Sequence, residues 1–372
     1  MIAFLDLGAA TSELKAEIDA AVARVVGSGW YIGGPEVAAF ETDWAAYCGA
    51  KHGVGLGNGL DALHLALKAV GVGPGDEVIV ASNGYIATQL AVTMTGAIPV
   101  PVEPDPATHN LDPARIEAAI TSRTRAILPT HLYGQPADLH PMLEIAQRHG
   151  LKLIDDAAQA HGAEYRGRKI GRHGATGHTA SITCWSFYPS KNLGALGDGG
   201  AVTTDDPLLA EKVRRLGNYG SSIRYVNQEI GVNSRLDPIH AAVLRAKLAK
   251  LDEWNGRRRA IAAFYGAALA DCDGLTVPFV PPWAEPSWHL YVIQSDDRER
   301  LAARLAEAGV QTLIHYPIPP HRQQAYAAMG LAEGSLPIAE RLATRVLSLP
   351  IGPHLGQDDA ERVVEAVRRA AA

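Results

Sequence analysis

Short runs of valine, isoleucine and leucine without polar alternation punctuate the first half of the chain, at Glu77 to Ala81, Ile98 to Val102, Arg125 to Pro129 and Leu151 to Asp155. Strands of this kind belong in a parallel sheet covered on both faces. Between them, apolar residues recur at helical spacing over Leu60 to Ala69, Tyr85 to Thr95, Asp112 to Ile120 and Leu139 to His149. The alternation predicts an α/β doubly wound domain. A first strand at His52 to Leu56 and two later ones, Ser181 to Trp185 and Gly200 to Thr204, complete a mostly parallel sheet of the seven-stranded type. Ahead of it the pattern predicts a helix from Ser12, as N-cap, to Val26 and another from Pro35 to Tyr47. After it come a helix over Pro207 to Leu216, a loop from Gly217 to Arg235, and a long helix from Pro238 through Asp252 to about Leu269. So long a helix suits a bridge between domains. Pro278, Pro281, Pro282 and Pro286 then mark a change to a small α+β domain. Its strands are expected at His289 to Gln294 and Gln311 to His315, and its helices at Arg298 to Ala308 and Gln357 to Ala371. The expected division is 1–250 for the large α/β domain and 251–372 for the small one.

Composition narrows the functional classes. A length of 372 residues with 47% hydrophobic and 20% charged positions is ample for a large core. The net charge of -6 gives no overall attraction to nucleic acid or anionic membrane, so any anion must be held by a local cluster of donors. Cys48, Cys184 and Cys272 are far apart and lack metal-ligand spacing. No stretch approaches the ~20 apolar residues of a membrane span. Met1-Ile2-Ala3-Phe4-Leu5-Asp6 meets an acid too early for a secretory leader. A soluble cytoplasmic protein is expected.

The candidate chemistry centres on Lys191, in a glycine-rich loop between two apolar strands. An amine desolvated there has a lowered pKa, and its neutral form attacks carbonyls. Asp155 and Asp156 close another buried strand, where open α/β sheets place their ligands. Two adjacent strand residues face opposite ways, so one acid can meet a protonated ring nitrogen while the other turns away. Gln159 is placed to donate to a phenolic oxygen on the same ring. Gly57-Asn58-Gly59-Leu60-Asp61 is a glycine-rich strand-to-helix turn whose free N–H groups suit a phosphate, and Ser186 can add a hydroxyl. Tyr85 opens the next strand-to-helix connection, where its ring can lie over a flat cofactor. A lysine, a ring-nitrogen acid, a phosphate cup and a stacking ring are the needs of pyridoxal 5′-phosphate.

With these residues in view, the chain resembles the DegT/DnrJ/EryC1/StrS sugar aminotransferases, of pyridoxal phosphate fold type I, from about Pro35 to Pro350. The matching stretches include Gly57 to Leu63, His131 to Gln135, Asp156 to Ala163, the Lys191 loop, Asn218 to Ser221, Asn233 to Asp237 and His315 to His321. Within the family it looks most like enzymes that aminate the 3-keto position of dTDP-6-deoxyhexoses. The resemblance implies that Lys191 holds the cofactor as a Schiff base, Asp156 pairs with the ring nitrogen, Gln159 sits near the 3′-oxygen and Tyr85 stacks. It implies phosphate contacts from Ser186 and from the Gly59, Leu60 and Asp61 backbone, helped by Asn233 of a second subunit in a homodimer. It further implies L-glutamate as amino donor. Tyr219, Arg224, Tyr225, Arg235, His315 and His321 are its candidates for the nucleotide sugar. Leu60 and Gly84 depart from the family, which often has threonine at both positions.

Four rivals are weighed against this reading. A 4-aminotransferase for a UDP-, GDP- or dTDP-4-keto sugar shares the fold. The related deoxysugar dehydratases replace the lysine by histidine, and Lys191 counts against that. A regulatory or structural protein that only binds the cofactor needs no Lys191, Asp156 and Gln159 together. A nicotinamide-dependent oxidoreductase lacks support, since Gly55 to Gly59 does not have the dinucleotide spacing and the next strand ends in Ala81-Ser82-Asn83, without a ribose-binding acid.

Overall fold

The computed structural model describes residues 1–171 and 182–371, so the predicted strand start at Ser181 lies outside the described residues. Seven strands form the central sheet: β1 (His52–Leu56), β2 (Glu77–Ala81), β3 (Ile98–Val102), β4 (Thr124–Leu128), β5 (Lys152–Asp156), β6 (Ile182–Ser186) and β7 (Gly200–Thr204). Their order is β1-β7-β6-β5-β4-β2-β3. From β3 across to β6 all neighbours are parallel, whereas β7 is antiparallel to both β6 and β1. The reason is local. Each parallel pair is joined through a crossover, but the chain leaves β6 and returns as β7 through the Lys191 loop alone, and a simple loop can only reverse direction.

Helices cover both faces of this sheet. On one, α1 (Gly59–Ala69) buries Leu63, Leu65 and Leu67 against Val78, Val80 and Ile182, and α2 (Ile86–Met94) adds Ala91 and Val92. On the other, Met142 and Ile145 pack on Ile79 and Ile127. Strand residues such as Ile79 and Val80 are wholly buried, which is why these runs carry no polar alternation.

Several expected boundaries shift. The first helix is two, Leu7–Glu13 capped by Asp6 and Lys15–Ser28, so Ser12 lies inside a helix and caps nothing. Residues 113–119 form two short 3-10 turns in place of a helix. The loop from 217 to 235 contains a hairpin, Ser221–Ile223 with Val226–Asn227. The long helix is broken into Pro238–Leu248 and α3 (Leu251–Leu269), the break falling beside Lys247, which turns inward to donate to Gly194 O at 2.8 Å. In the C-terminal part, β8 (Tyr291–Ser295) is flanked by Leu275–Thr276 and β9 (Val346–Leu349). The expected strand at Gln311 to His315 reduces to a bridge between Leu313 and Ser348, because β9 already occupies the place beside β8. Helix α4 (Pro337–Arg345) leads into β9. The chain start joins this layer too: Ile2 pairs with Val310 and packs with Tyr265, Leu301 and Leu305. Among the described residues, no helix is long and apolar enough to cross a membrane.

Candidate active site

The parallel strands end at one edge, and the site is assembled there. Alternation at the end of β5 sends its two acids to opposite faces. Asp156 is buried; it accepts hydrogen bonds from Thr88 Oγ1 at 2.7 Å, Thr130 Oγ1 at 3.3 Å and the Ala158 N–H at 3.2 Å. Asp155 faces away and takes Thr183 Oγ1 at 3.4 Å. Burial pushes both carboxyls up, Asp155 to about 7. At Asp156 the donors and the Lys191 charge oppose that rise.

Lys191 stands in the loop after β6. Burial brings its amine down to about 8, with the Asp156 charge working in the other direction. The loop is fixed from within, by Phe187 N–H to Gly199 O at 2.7 Å, Ala195 N–H to Phe187 O at 2.8 Å and Lys191 N–H to Tyr188 O at 2.8 Å. It is also fixed from without. Asn192 Nδ2 donates to Asn255 Oδ1 and to Ser287 O, each at 2.8 Å, and Asn255 Nδ2 donates to His161 O at 2.8 Å. These amides tie the lysine loop to α3 and to the segment that follows Asp156. His161 itself is neutral and enclosed, its pKa brought to about 3 by burial among Trp44, Trp185 and Phe187.

Gln159 bridges the two halves of the chain. Its Oε1 accepts the Tyr133 N–H at 2.7 Å, and its Nε2 donates to the Tyr316 hydroxyl at 3.1 Å. The Tyr316 ring lies 5.2 Å from that of Tyr85, centroid to centroid, and Tyr85 is half exposed above the strand ends. Tyr133 donates its hydroxyl to the His315 carbonyl.

The start of α1 is shaped by two close backbone approaches. A Cβ on Gly59 would lie 2.6 Å from Ser186 Cβ and 3.2 Å from Ser186 Oγ, so only glycine lets the serine sit against the helix N-terminus. Across the sheet, Gly200 pairs with Ser186, and a Cβ there would meet Asn58 O at 2.3 Å. Asp61 departs from expectation. Its N–H is committed to the Asn58 Oδ1 cap at 2.8 Å, and its carboxylate accepts from Ser234 Oγ at 2.7 Å and Asn58 Nδ2 at 3.1 Å. The first-turn donors left for an anion are therefore those of Gly59 and Leu60, beside Ser186 Oγ.

Comparison with known proteins decides what this arrangement is. Residues 12–368 match the model of the DegT/DnrJ/EryC1/StrS aminotransferase family. The chain belongs to that family. It is 55% identical to the dTDP-3-amino-3,4,6-trideoxy-alpha-D-glucose transaminase of Streptomyces venezuelae, over 99% of this chain and 95% of that one. It is 51% identical to the dTDP-3-amino-3,6-dideoxy-alpha-D-galactopyranose transaminase of Aneurinibacillus thermoaerophilus, over 99% of both. The crystal structure of S. venezuelae DesV superimposes with a TM-score of 0.97 at 55% identity, covering 100% of this chain and 98% of that one. Aminotransferases of this family depend on pyridoxal phosphate. The residues present fit that group: a glycine-made cradle at a helix N-terminus, a buried carboxylate held by three donors, and a lysine with a lowered pKa beside it.

Against the family's needs, the structure gathers Lys191, Asp156, Gln159, Tyr85, Ser186 and the Gly59 turn at one edge. The six sugar candidates scatter. His315 lies near, its Nδ1 on Ser348 Oγ at 2.8 Å and its pKa lowered to about 4 by burial and then by the Lys191 charge. Arg235 lies over the Tyr219 ring at 5.6 Å and bonds Asn218 Oδ1 at 3.0 Å. Arg224 lies over Tyr225 at the exposed hairpin tip, 4.9 Å from its centroid. Among the described residues, no hydrogen bond or ring contact joins either pair to Lys191, Asp156 or Gln159. His321 corrects its expectation: its side chain is fully enclosed, with Nε2 3.1 Å from Glu340, and has no surface to offer a sugar. Asn233 is exposed and is bridged to Asn218. Residue types alone missed Thr88, Thr130 and Tyr316. Thr88, one helical turn after Tyr85, and Tyr316, next to His315 in a matching stretch, were the available signals.

Proposed function

We propose that this aminotransferase moves the amino group of L-glutamate to the 3-keto carbon of a dTDP-linked 6-deoxyhexose, giving a dTDP-3-amino-3,6-dideoxyhexose. The observation that carries the chemistry is the closeness of Ser186 to the glycine start of α1, beside a lysine held at about 8 and a buried carboxylate. The 3-amino position rests on the activities for which the two relatives at 55% and 51% identity are named. Bound in the cradle, pyridoxal phosphate supplies an aldehyde that captures amines and a ring that withdraws electrons from the neighbouring carbon.

The chain's own residues do the rest. Ser186 Oγ and the Gly59 and Leu60 N–H groups hold the phosphate. Asp156, whose charged form Thr88, Thr130 and the Ala158 N–H favour against burial, would hold a proton on the ring nitrogen. Gln159, fixed by Tyr133, would serve the cofactor's 3′-oxygen, and Tyr85 would cover its ring. Lys191 Nζ would hold the cofactor's aldehyde carbon, and as a free amine it would take the proton from the donor's Cα. In the second half it would move a proton at the sugar carbon, and because the donor's keto product leaves before the sugar binds, kinetics would be ping-pong. Tyr219, Arg224, Tyr225, Arg235 and His315 are proposed for the nucleotide sugar.

We also propose a cytoplasmic homodimer in which Asn233 serves the other subunit's phosphate. Exposed Ile223 and Val226, paired on one hairpin, and Ile230 just after it support a covered face, since large apolar side chains cluster on surfaces that are buried by partners.

The test begins with the visible absorbance of the lysine-linked cofactor. L-Glutamate should bleach it, and Lys191→Ala should lack it. Addition of dTDP-3-keto-6-deoxyhexose to the bleached enzyme should restore the band. Restoration only by the 4-keto isomer would overturn the position of amination and leave the aminotransferase standing. For the dimer, Asn233→Ala and Lys191→Ala chains, mixed, should regain activity above either alone if sites are shared.

A further inference from the structure

Helix α4 starts badly by its own means. Its N-cap residue is Leu336, which has no side-chain acceptor for the first-turn N–H groups. The Ile338 and Ala339 N–H groups are nevertheless bonded, at 2.7 Å and 2.9 Å, to the two carboxylate oxygens of Glu103. Glu103 is 235 residues earlier in the chain, directly after β3, and is buried. Ser82 Oγ, directly after β2, donates to the same carboxylate at 3.3 Å. The cap of a C-terminal helix is thus supplied by the carboxyl edge of the large sheet, where a negative charge also meets the positive end of the helix.

What α4 touches gives this clasp a function. Ala339, Leu342 and Ala343 line a small cavity together with Tyr316, Tyr133 and Asn83. Leu342 packs in one cluster with Leu290, Val292 and Val346, against which Tyr133 and Ile314 rest. Tyr316 is the hydroxyl that Gln159 Nε2 meets at 3.1 Å, and its ring is the neighbour of Tyr85. Packing therefore runs from Glu103 through α4 and the Leu342 cluster to Tyr133, whose N–H meets Gln159 and whose hydroxyl meets the His315 carbonyl next to Tyr316, while Tyr316 faces α4 across the shared cavity.

We infer that Glu103 is a positioning residue for amino transfer: by capping α4 from the large sheet, it holds Tyr316 against Gln159 while touching no reacting atom itself. This rests on the aminotransferase reading above. A carboxylate suits the task because both oxygens accept, one for each N–H. Glutamine would keep one acceptor and set an amide N–H against the other donor.

The test uses Glu103→Ala and Glu103→Gln, each alone and combined with Tyr316→Phe. On the full enzyme, Glu103→Ala should lower kcat/KM for the keto sugar by roughly tenfold, with Glu103→Gln between it and the parent. In the Tyr316→Phe background most of that loss should vanish, since coupled residues are non-additive. In the cofactor-free chain, amide exchange should quicken at Ile338 and Ala339 and also across 313–319. Additive losses in the cycle, or quickening confined to α4, would overturn the inference. If Glu103→Ala does not fold, the Glu103→Gln cycle decides in the same way. Failure of the parent enzyme to transfer an amino group would sink the functional reading instead, and the exchange experiment judges the clasp without it.

Discussion

Gly59→Ala separates a phosphate cradle from a mere helix start. The added Cβ would stand 2.6 Å from Ser186 Cβ, and ordinary contact begins at 3.4 Å, so serine and helix must part by about 3.4 − 2.6 = 0.8 Å. No left-handed backbone is needed at this position, so alanine suffers no φ penalty there. Alanine favours a helix over glycine by ~1 kcal/mol, while overpacking costs ~1–3 kcal/mol. The cofactor-free protein should therefore stay folded, with its stability changed by no more than about 2 kcal/mol. Phosphate binding has no such compensation. A displacement of that size removes or lengthens a charge-assisted hydrogen bond worth ~1.5–3 kcal/mol, which converts to roughly a 10- to 100-fold weaker Kd. Titration of the cofactor-free protein with pyridoxal phosphate, read by absorbance, gives the Kd. Pyridoxal without phosphate is the control and should bind parent and variant alike. Equal weakening of both ligands, or an unchanged Kd for pyridoxal phosphate, would refute the cradle.

Three further outcomes follow from the site's geometry. Thr88→Val deletes the shortest hydrogen bond to the Asp156 carboxylate, 2.7 Å, so the Asp156 pKa should rise and the acid limb of the kcat/KM profile should move to higher pH; an unmoved limb would exclude Asp156 as the group titrating there. Lys191 has a folded pKa of about 8 against an ordinary 10.5, so between those values the unfolded chain binds more protons and the penalty for burying the charge fades as pH rises. Lys191→Met should accordingly melt higher than the cofactor-free parent at pH 7, with the advantage shrinking from about pH 8 toward 10.5; a constant difference across that range would contradict the lowered pKa. Asn192→Ala removes the amide that joins the lysine loop to Asn255 and Ser287, and leaves Asn255 Oδ1 buried without that donor; a loss of ~1–3 kcal/mol is expected in denaturant unfolding.

The division of labour between chain and fold is visible residue by residue. Sequence alone placed the strands: β1, β2, β3 and β7 fall on the expected residues, and the doubly covered apolar run is seen best in β2, whose residues are all buried. It also determined Lys191, Asp156, Gln159 and the Gly59 turn as candidates, because each stands at a strand end whose local pattern is legible within a few residues. It did not determine the direction of β7, which depends on the absence of a crossover, nor the break before α3, nor β9, which displaced the expected strand at Gln311 to His315. Least of all did it determine partners. That the Asp61 carboxylate takes Ser234 Oγ, that His321 is enclosed against Glu340, and that Glu103 caps a helix beginning at Pro337 are facts about groups apart in the chain that share too few acceptors. A buried donor takes whichever acceptor the packing brings to it, and only the tertiary structure says which that is.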